Sequence, residues 1–309
     1  MAVFDKLLKP RFPACAVGIE HGAASVVQLD RARGGYVIKR AATLTLSPDL
    51  IHASFDQPNI SDQKQLVGAL SDLMTSAGLI RQRKWSVTLP ESSTRSVILT
   101  IDGGGGSRRE IEEVIDWKTE RSFGAPASEL RVAREQIAPN EQKQSRYLLT
   151  AVHLSVLAEY ESVFAAMNWQ AGLVLPRHVG EEQWLRDGTS GDGLLLSSHE
   201  QGFTAVLLRN NRPLTLRSVF CDTEECDDEL HRILLFYSER SGSNGDGSAV
   251  NRLMVMGNLL NKKRVAEIAR ETLGVSLKPL EATDVGLIIP GDLPFDVIAA
   301  PAGAARLAW

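Results

Sequence analysis

The stretch AVGIEHGAASVVQLDRARGGYVIKRAATLTL, residues 16–46, decides the fold class. Its apolar run at 16–19 leads into a polar turn at 20–22, and two further apolar runs follow, at 25–29 and from Tyr36 onwards. Runs rich in β-branched residues and bounded by glycine and polar clusters are typical of half-buried antiparallel strands. The stretch therefore predicts a meander of three strands.

A similar meander returns far down the chain. Apolar runs at 193–196, 203–208 and 213–219 are separated by the polar break 197–202 and by the turn Asn210-Asn211. The chain has 309 residues, which is longer than a single hydrophobic core usually needs. The duplicated meander therefore predicts two lobes.

The composition is that of an ordinary globular protein, with 43% hydrophobic and 23% charged residues. A formal net charge of -4 provides no general attraction to nucleic acid or anionic lipid. The three cysteines, Cys15, Cys221 and Cys226, have unrelated spacings, so we expect reduced thiols and no disulfide framework. No apolar run approaches the roughly 20 residues of a membrane span, and no signal-peptide pattern opens the chain. These features predict a cytoplasmic protein.

Further elements follow from periodicity and from turn residues. We expect a helix with Ser61 as its N-cap that ends at Gly78, an irregular segment before it at 47–60, and a short strand at 276–279. The charged helix at 108–121 has Ile111, Val114, Ile115 and Lys118 on one face. The expected divisions are a flexible tail at 1–13, a first lobe at 14–90 and 169–190, an inserted α+β subdomain at 91–168, and a second lobe at 191–309. The expected links are a glycine loop at 103–106 and flexible segments at 188–192 and 242–248.

The candidate catalytic motifs are incomplete. The glycine run at 103–106 lacks the lysine and the spacing of a phosphate-binding P-loop and is interpreted as a linker. Cys221 and Cys226 with His231 fall short of the four ligands of a structural zinc site. Only the turn Glu20-His21-Gly22 has features that would allow it to bind a phosphate and a metal ion. Its glycine would let the backbone approach a phosphate, and its acidic side chain could hold a metal or the metal's water.

Two meanders in two lobes, each beginning with such a turn, resemble the fold of actin, sugar kinases and heat-shock ATPases, which bind nucleotide between the lobes. More narrowly, VGIEHGAASVVQL at 17–29 is similar to the opening V-G-I-D-I-G-S-S-S-V-K of the PilM family of type IV pilus assembly proteins, relatives of FtsA. The stretches AGL at 77–79, IDWKTE at 115–120 and LLFYS at 234–238 also resemble that family. The implied fold class is α/β, a two-lobed actin-like (duplicated RNase-H-like) fold with a small α+β insertion in the first lobe.

The resemblance also places a degenerate nucleotide cleft. Its positions are the first phosphate motif, Glu20, Gly22, Ala23 and Ser25, the second phosphate motif, Ser197, His199 and Gly202, and the adenosine motif, Gly257 and Asn258. The family has Asp at position 20 and Ser or Thr at position 23, and it has Asp-x-Gly where this chain has Ser197-Ser198-His199. Losing the second Asp removes a carboxylate that would help to hold Mg²⁺, and His199 adds bulk where backbone should approach phosphate. Because phosphoryl transfer needs several such groups together, we expect no catalytic residue, no metal site and no resident cofactor. Binding of ATP with Mg²⁺ is the alternative.

The resemblance implies a cytoplasmic scaffold or adaptor, peripheral to the inner membrane through its partners. The implied partner is a PilN-like bitopic membrane protein, whose N-terminal peptide would lie in a groove between the first lobe and the insertion, a mode that strand edges and apolar pockets support. Pilus ATPases or further copies of the chain are other implied partners, and nucleic acid is not expected. Two alternatives are an active ATPase or kinase of the actin superfamily, and the cytoplasmic domain of a GspL-like type II secretion protein. GspL-like chains usually continue into a membrane span, which is not expected here.

Overall fold

The computed structural model describes residues 11–101, 108–140, 142–186, 191–242 and 250–309. Most of the predicted tail, the glycine loop at 103–106 and most of the two predicted links at 188–192 and 242–248 lie outside the described residues. The predictions made for those segments remain predictions.

The first lobe is built on a six-stranded sheet whose first three strands are the predicted meander. Its strands are β1 (Cys15–Glu20), β2 (Ala23–Ala32), β3 (Gly35–Thr45), β4 (Lys84–Leu89), β8 (Gln170–Pro176) and β13 (Leu287–Ile288). They lie in the order β13-β3-β2-β1-β4-β8. The meander is antiparallel, whereas β4 runs parallel to β1 and β8 runs parallel to β4.

The second lobe repeats this arrangement in a four-stranded sheet. Its strands are β9 (Asp192–His199), β10 (Gly202–Arg209), β11 (Arg212–Phe220) and β12 (Val250–Met256). The order β11-β10-β9-β12 matches β3-β2-β1-β4, and β12 is parallel to β9 as β4 is to β1. The structure therefore confirms the predicted α/β fold class with a duplicated, actin-like sheet topology.

A separate three-stranded sheet lies between β4 and β8 in the chain. It consists of β5 (Arg95–Ile101), β6 (Leu130–Ile137) and β7 (Ser145–His153) in the order β5-β7-β6, with the helix α2 (Arg108–Phe123) packed against β5. Leu99, Phe123 and Leu149 form its small core, which Phe55 of the segment 47–60 also enters. The predicted apolar face of α2 is only partly correct, because Ile115 is buried while Val114 is exposed.

The other helices cover the two large sheets. They are α1 (Gln63–Ser76), α3 (Leu154–Ala166), α4 (Arg177–Glu182), α5 (Cys226–Gly242), α6 (Lys262–Leu273) and α7 (Phe295–Arg306). The N-cap of α1 is Asp62 and not the predicted Ser61, since the Asp62 carboxylate accepts the backbone N–H of Gln65. The predicted strand at 276–279 is reduced to a single bridge between Leu253 and Pro279. Proline has no N–H with which to extend a ladder there.

Helix α3 packs its buried side chains into the core of the first lobe. Leu157, Tyr160 and Phe164 lie in the same cluster as Leu70 of α1 and Trp85 of β4. The insertion's own sheet and α2 lie mostly outside this cluster, which Val152 at the end of β7 also joins.

The two lobes share a core around α4 and α7. One cluster of buried residues contains Val27 of the first sheet, Leu195 of the second sheet and Ile298 of α7. The backbones of α4 and α7 cross so closely that a Cβ atom added to Gly303 would lie 1.8 Å from the carbonyl oxygen of Gly180. Glycine at this crossing lets the two helices make contact through their backbones and fixes the lobes side by side.

Candidate functional site

Two hairpin turns, one from each lobe, face each other across the cleft. In the first lobe the closing pair is Glu20 and Ala23, and in the second lobe it is His199 and Gly202. By this register the counterpart of Glu20 is His199, whereas sequence comparison had set Ser197 in that position. The second lobe therefore has an imidazole where the first lobe has a carboxylate.

The tips of the two turns touch. The imidazole Nε2 of His21 lies 2.8 Å from the Glu200 carboxylate, and its Nδ1 lies 2.9 Å from the carbonyl oxygen of Ile51. His199 adds a second contact, since its Nδ1 is 3.3 Å from the Ser92 hydroxyl. Side chains thus bridge the space between the turns.

Arg177 is the central cation of the cleft. It is the first residue of α4, and its side chain is 7% exposed. Its Nη1 lies 2.6 Å from the Glu20 carboxylate and donates to the Ser198 carbonyl oxygen at 3.2 Å, while its Nε donates to the Glu181 carboxylate at 2.8 Å. Glu20, the side chain predicted to face a metal, is therefore paired with an arginine of its own chain.

The electrostatics of this cluster depend on burial. Burial raises the pKa of Glu20 against the opposing effect of Arg177, and it raises the pKa of Glu181 to about 7 in the same way. The pKa of Arg177 is raised although burial acts in the other direction, because the carboxylates of Glu20 and Glu181 favour its charged form. The guanidinium is therefore a permanent charge that holds two buried carboxyl groups.

Glu91 forms a second buried cluster that joins the lobes. It follows β4 and is 7% exposed. Its carboxylate lies 2.6 Å from His178 Nδ1, accepts the His178 backbone N–H at 3.1 Å and accepts the Thr204 hydroxyl of β10 at 2.8 Å. Burial acts to raise the pKa of Glu91, but the charge and hydrogen bonds of His178 outweigh it and lower that pKa to about 2. Glu91 raises the pKa of His178 in turn, against the effect of burial.

Other predicted cleft residues have structural contacts. The Ser25 hydroxyl donates to the Val297 carbonyl oxygen of α7 at 3.1 Å. Gly257, with φ +80°, packs so closely on Ser198 that an added Cβ would lie 2.4 Å from its carbonyl oxygen. Ser197 is buried next to this contact, whereas Asn258 is exposed. The second phosphate motif and the adenosine motif do meet, and their backbones pack directly against each other within the chain.

Glycine occupies different positions in the two hairpins, since Gly22 lies in the first turn and Gly202 is the first residue of β10. Gly22 has φ +69° and no atom within 4 Å of a Cβ built on it, whereas a Cβ on Gly202 would lie 2.0 Å from the Val219 carbonyl oxygen. Ala23 begins β2 opposite Glu20. The close approach at Gly202 is therefore between β10 and the neighbouring strand β11.

These residues do not fit a magnesium-bound nucleotide. Mg²⁺ requires oxygen ligands that are open to it, and phosphate requires free N–H donors. Glu20 is neutralised by Arg177, its counterpart is the imidazole of His199, and the backbone at Gly257 packs on Ser198. Within the described ranges, no group of three or more His, Cys, Asp or Glu side chains is placed to hold a metal.

Sequence reasoning missed Arg177, His178, Glu181, Glu91 and Thr204. One signal was available, because Arg177 and Glu181 have the i, i+4 spacing of a helical ion pair, as do Glu182 and Arg186. This charged segment directly follows the strand β8. The i, i+4 spacing of these charges could therefore have predicted a short charged helix directly after β8.

Across the part of the chain that the structure describes, no helix is both long enough and apolar enough to cross a membrane. No model of a protein family matches the chain, and the search of curated proteins finds no match either.

Comparison with solved structures gives a clear fold. A chain of the PilM-PilN type IV pilus biogenesis complex superposes with a TM-score of 0.74 at 16% identity, over 97% of this chain and 99% of that one. A Bacteroides thetaiotaomicron protein with an actin-like ATPase fold matches with a TM-score of 0.49 at 9% identity, over 95% and 96% of the two chains. The cytoplasmic domain of EpsL, an inner-membrane component of the Vibrio cholerae type II secretion system, matches with a TM-score of 0.47 at 11% identity, over 94% of each chain. This chain therefore has the PilM-like, two-lobed actin fold that its duplicated meander predicts.

Proposed function

We propose that this chain is a cytoplasmic actin-fold adaptor in the inner-membrane assembly platform of a type IV pilus or a related secretion machine, and that it does not hydrolyse ATP. The observation that carries the second part is the position of Arg177. Its guanidinium lies between the two lobes and pairs with the carboxylate that would face a metal. The fold supports the first part, since the PilM-PilN structure shares it over nearly the whole chain.

The proposed partner is the N-terminal peptide of a PilN-like bitopic membrane protein, held between the first lobe and the insertion. Support comes from two large apolar side chains of the insertion helix α2, Val114 and Trp117, which are 40% and 56% exposed. Exposed apolar groups of this size are typical of docking surfaces. The inner part of the junction is already filled, because Phe55 enters the insertion core and Asn59 is fully buried. The peptide would therefore bind on the outer side of this junction.

A binding titration tests the partner. The labelled N-terminal cytoplasmic peptide of the PilN-like protein from the same organism should bind saturably, and Trp117→Ala should weaken it at least severalfold. Ile80→Ala is the matched control, since Ile80 is equally exposed on the first lobe, outside the insertion. Absence of binding by the unmodified protein would reject this partner.

A thermal-shift measurement with Mg-ATP tests the nucleotide part separately. A ligand that binds the folded state raises its melting temperature with concentration. We expect no rise with Mg-ATP. A rise that disappears in Glu20→Ala would support the working ATPase instead, whatever the result with the peptide.

A further inference from the structure

Two of the three cysteines are in direct contact. Cys221 directly follows β11 and Cys226 begins α5, and four residues separate them. Their sulfur atoms lie 2.6 Å apart, although both cysteines are free. That separation is shorter than the ~3.5–4.0 Å at which even carbon atoms pack, and bonded sulfurs lie about 2.0 Å apart. Little movement is therefore needed to join them.

We propose that Cys221 and Cys226 form a dithiol modification site that a small-molecule disulfide, of the glutathione disulfide class, converts to an intramolecular disulfide. The inference goes beyond the adaptor function and does not depend on it. It also differs from the expectation from cysteine spacing, which predicted three separate reduced thiols.

Exposure sets the order of the two exchange steps. Cys221 is partly exposed, whereas Cys226 is 1% exposed. Cys221 therefore attacks the disulfide of the oxidant first, which forms a mixed disulfide and releases one glutathione. The Cys226 sulfur then attacks the Cys221 sulfur and releases the second glutathione. Each leaving thiolate takes up the proton that the attacking thiol gives up, so two thiols are oxidised and one glutathione disulfide is reduced.

The surroundings of Cys226 make the second exchange the slow one. In the dithiol, burial raises the pKa of its thiol to about 12, and Cys221 and the carboxylates of Asp227 and Asp222 act in the same direction. In the mixed disulfide the effect of Cys221 is lost, whereas burial and the two carboxylates still raise that pKa. Since the thiolate is the attacking species and a raised pKa lowers the thiolate fraction, only a small fraction of Cys226 can attack at any moment. Proximity offsets this, because the mixed disulfide on Cys221 is held in contact with Cys226.

The site lies beside the second-lobe turn that faces the first lobe. The backbone N–H of Cys221 donates to the carbonyl oxygen of Gln201 at 3.1 Å, and the ring of Phe220 packs edge-on against His199. A disulfide would fasten the start of α5 to the end of β11, next to the His199–Ser92 contact between the lobes. Oxidation would therefore stiffen the second-lobe wall of the cleft.

The experiment uses the full chain in buffers of increasing glutathione disulfide to glutathione ratio. Free thiols are then blocked by alkylation, and the masses of the intact protein and of its tryptic peptides are measured by mass spectrometry. Trypsin releases residues 218–232 as one peptide that contains both cysteines and not Cys15. We expect this peptide to lose two hydrogen atoms as the ratio rises, while Cys15 stays alkylated. Cys15→Ser should behave identically, and Cys221→Ser should abolish the change, with Cys221→Ala replacing it if the serine variant does not fold.

Three outcomes overturn the proposal. The first is a peptide 218–232 that keeps two alkylated thiols at the most oxidising ratio. The second is glutathione retained on Cys221 with no closure by Cys226. The third is a disulfide between two copies of the chain, seen as a dimer on a non-reducing gel.

Discussion

In the first lobe the strand before the hairpin turn ends in Glu20, whereas in the second lobe the strand at the same register ends in His199. Both turns have two residues, and both are followed by a strand that belongs to a meander. The first turn has kept a carboxylate but pairs it with Arg177, and the second turn has an imidazole that contacts Ser92 of the other lobe. The two turns therefore differ in chemistry, and each is linked to the other lobe, the first through Arg177, which also donates to the Ser198 carbonyl oxygen, and the second through Ser92.

This difference teaches that two hairpins with the same register can place opposite chemistry at the same position of a cleft. An arginine carries a fixed positive charge with several donors, so it satisfies carboxylates that would otherwise repel one another. Arg177 does this for Glu20 and Glu181. The positive charge next to these two carboxyl groups is therefore supplied by α4 itself.

The largest effect should come from removing that cation. Arg177→Ala removes the cation that pairs with the fully buried Glu181 carboxyl group and with the partly buried Glu20 carboxyl group, and breaking a buried pair in this way costs about 3–5 kcal/mol of unfolding free energy. Urea denaturation measures the loss. The control is Arg264→Ala, which removes a fully exposed ion pair with Asp227 and should change little.

A second substitution sharpens this result. Adding Glu20→Gln to Arg177→Ala should restore part of the lost stability, since one unpaired buried charge is removed. If Arg177→Ala were as stable as the Arg264→Ala control, the guanidinium would not be holding the first turn in place.

The next effect concerns Glu91, which reaches the second lobe through Thr204. Its pKa of about 2 lies below its ordinary value of 4.5, so its contribution is present above pH ~4.5 and is lost as the pH falls toward 2. Glu91→Gln should therefore lower the unfolding free energy by about 3 kcal/mol at pH 6, and this difference should shrink as the pH approaches 2. Denaturation curves at pH 6 and at pH 3 measure it. A difference that is independent of pH would contradict an ionised Glu91.

Features that depend on neighbouring residues could be predicted from the sequence, whereas contacts between residues far apart in the sequence could not. Both meanders were predictable, because their β-branched runs and turn residues are local, as in the stretch 16–46. The fold class and the duplicated layout followed from them. The pairing of Arg177 with Glu20 was not predictable, because they lie 157 positions apart in the sequence and the contact exists only once α4 is packed between the lobes.

Two differences show the same limit on a smaller scale. Ser61 and Asp62 are both good N-cap residues, and only the backbone geometry, which lets Asp62 reach the Gln65 N–H, decides between them. The motif resemblance aligns Ser197 with Glu20, whereas the strand register places His199 at that position, and register depends on strand pairing and not on composition.

A smaller effect should distinguish Gly22 in the first turn from Gly202 at the start of β10. Gly202→Ala would bring a Cβ to within 2.0 Å of the Val219 carbonyl oxygen and should cost about 2–3 kcal/mol, whereas Gly22→Ala meets no atom within 4 Å and should cost about 1 kcal/mol, the strain of a positive φ. Melting temperatures and denaturation midpoints of the two variants compare the two positions directly. Equal costs would mean that the close approach of β11 does not require glycine at position 202.

The smallest effect should come from the contact between the two turn tips. His21 and Glu200 are 29% and 50% exposed, and exposed ion pairs are worth about 0.2–1 kcal/mol. A double-mutant cycle with His21→Ala and Glu200→Ala should give a coupling energy in that range, and screening should reduce it in about 1 M salt. A coupling that is zero at low salt would show that the tips merely lie next to each other. The attachment of the two lobes at the cleft would then rest on Arg177 and Glu91, whose partners are buried and poorly screened, so that salt would leave it nearly unchanged.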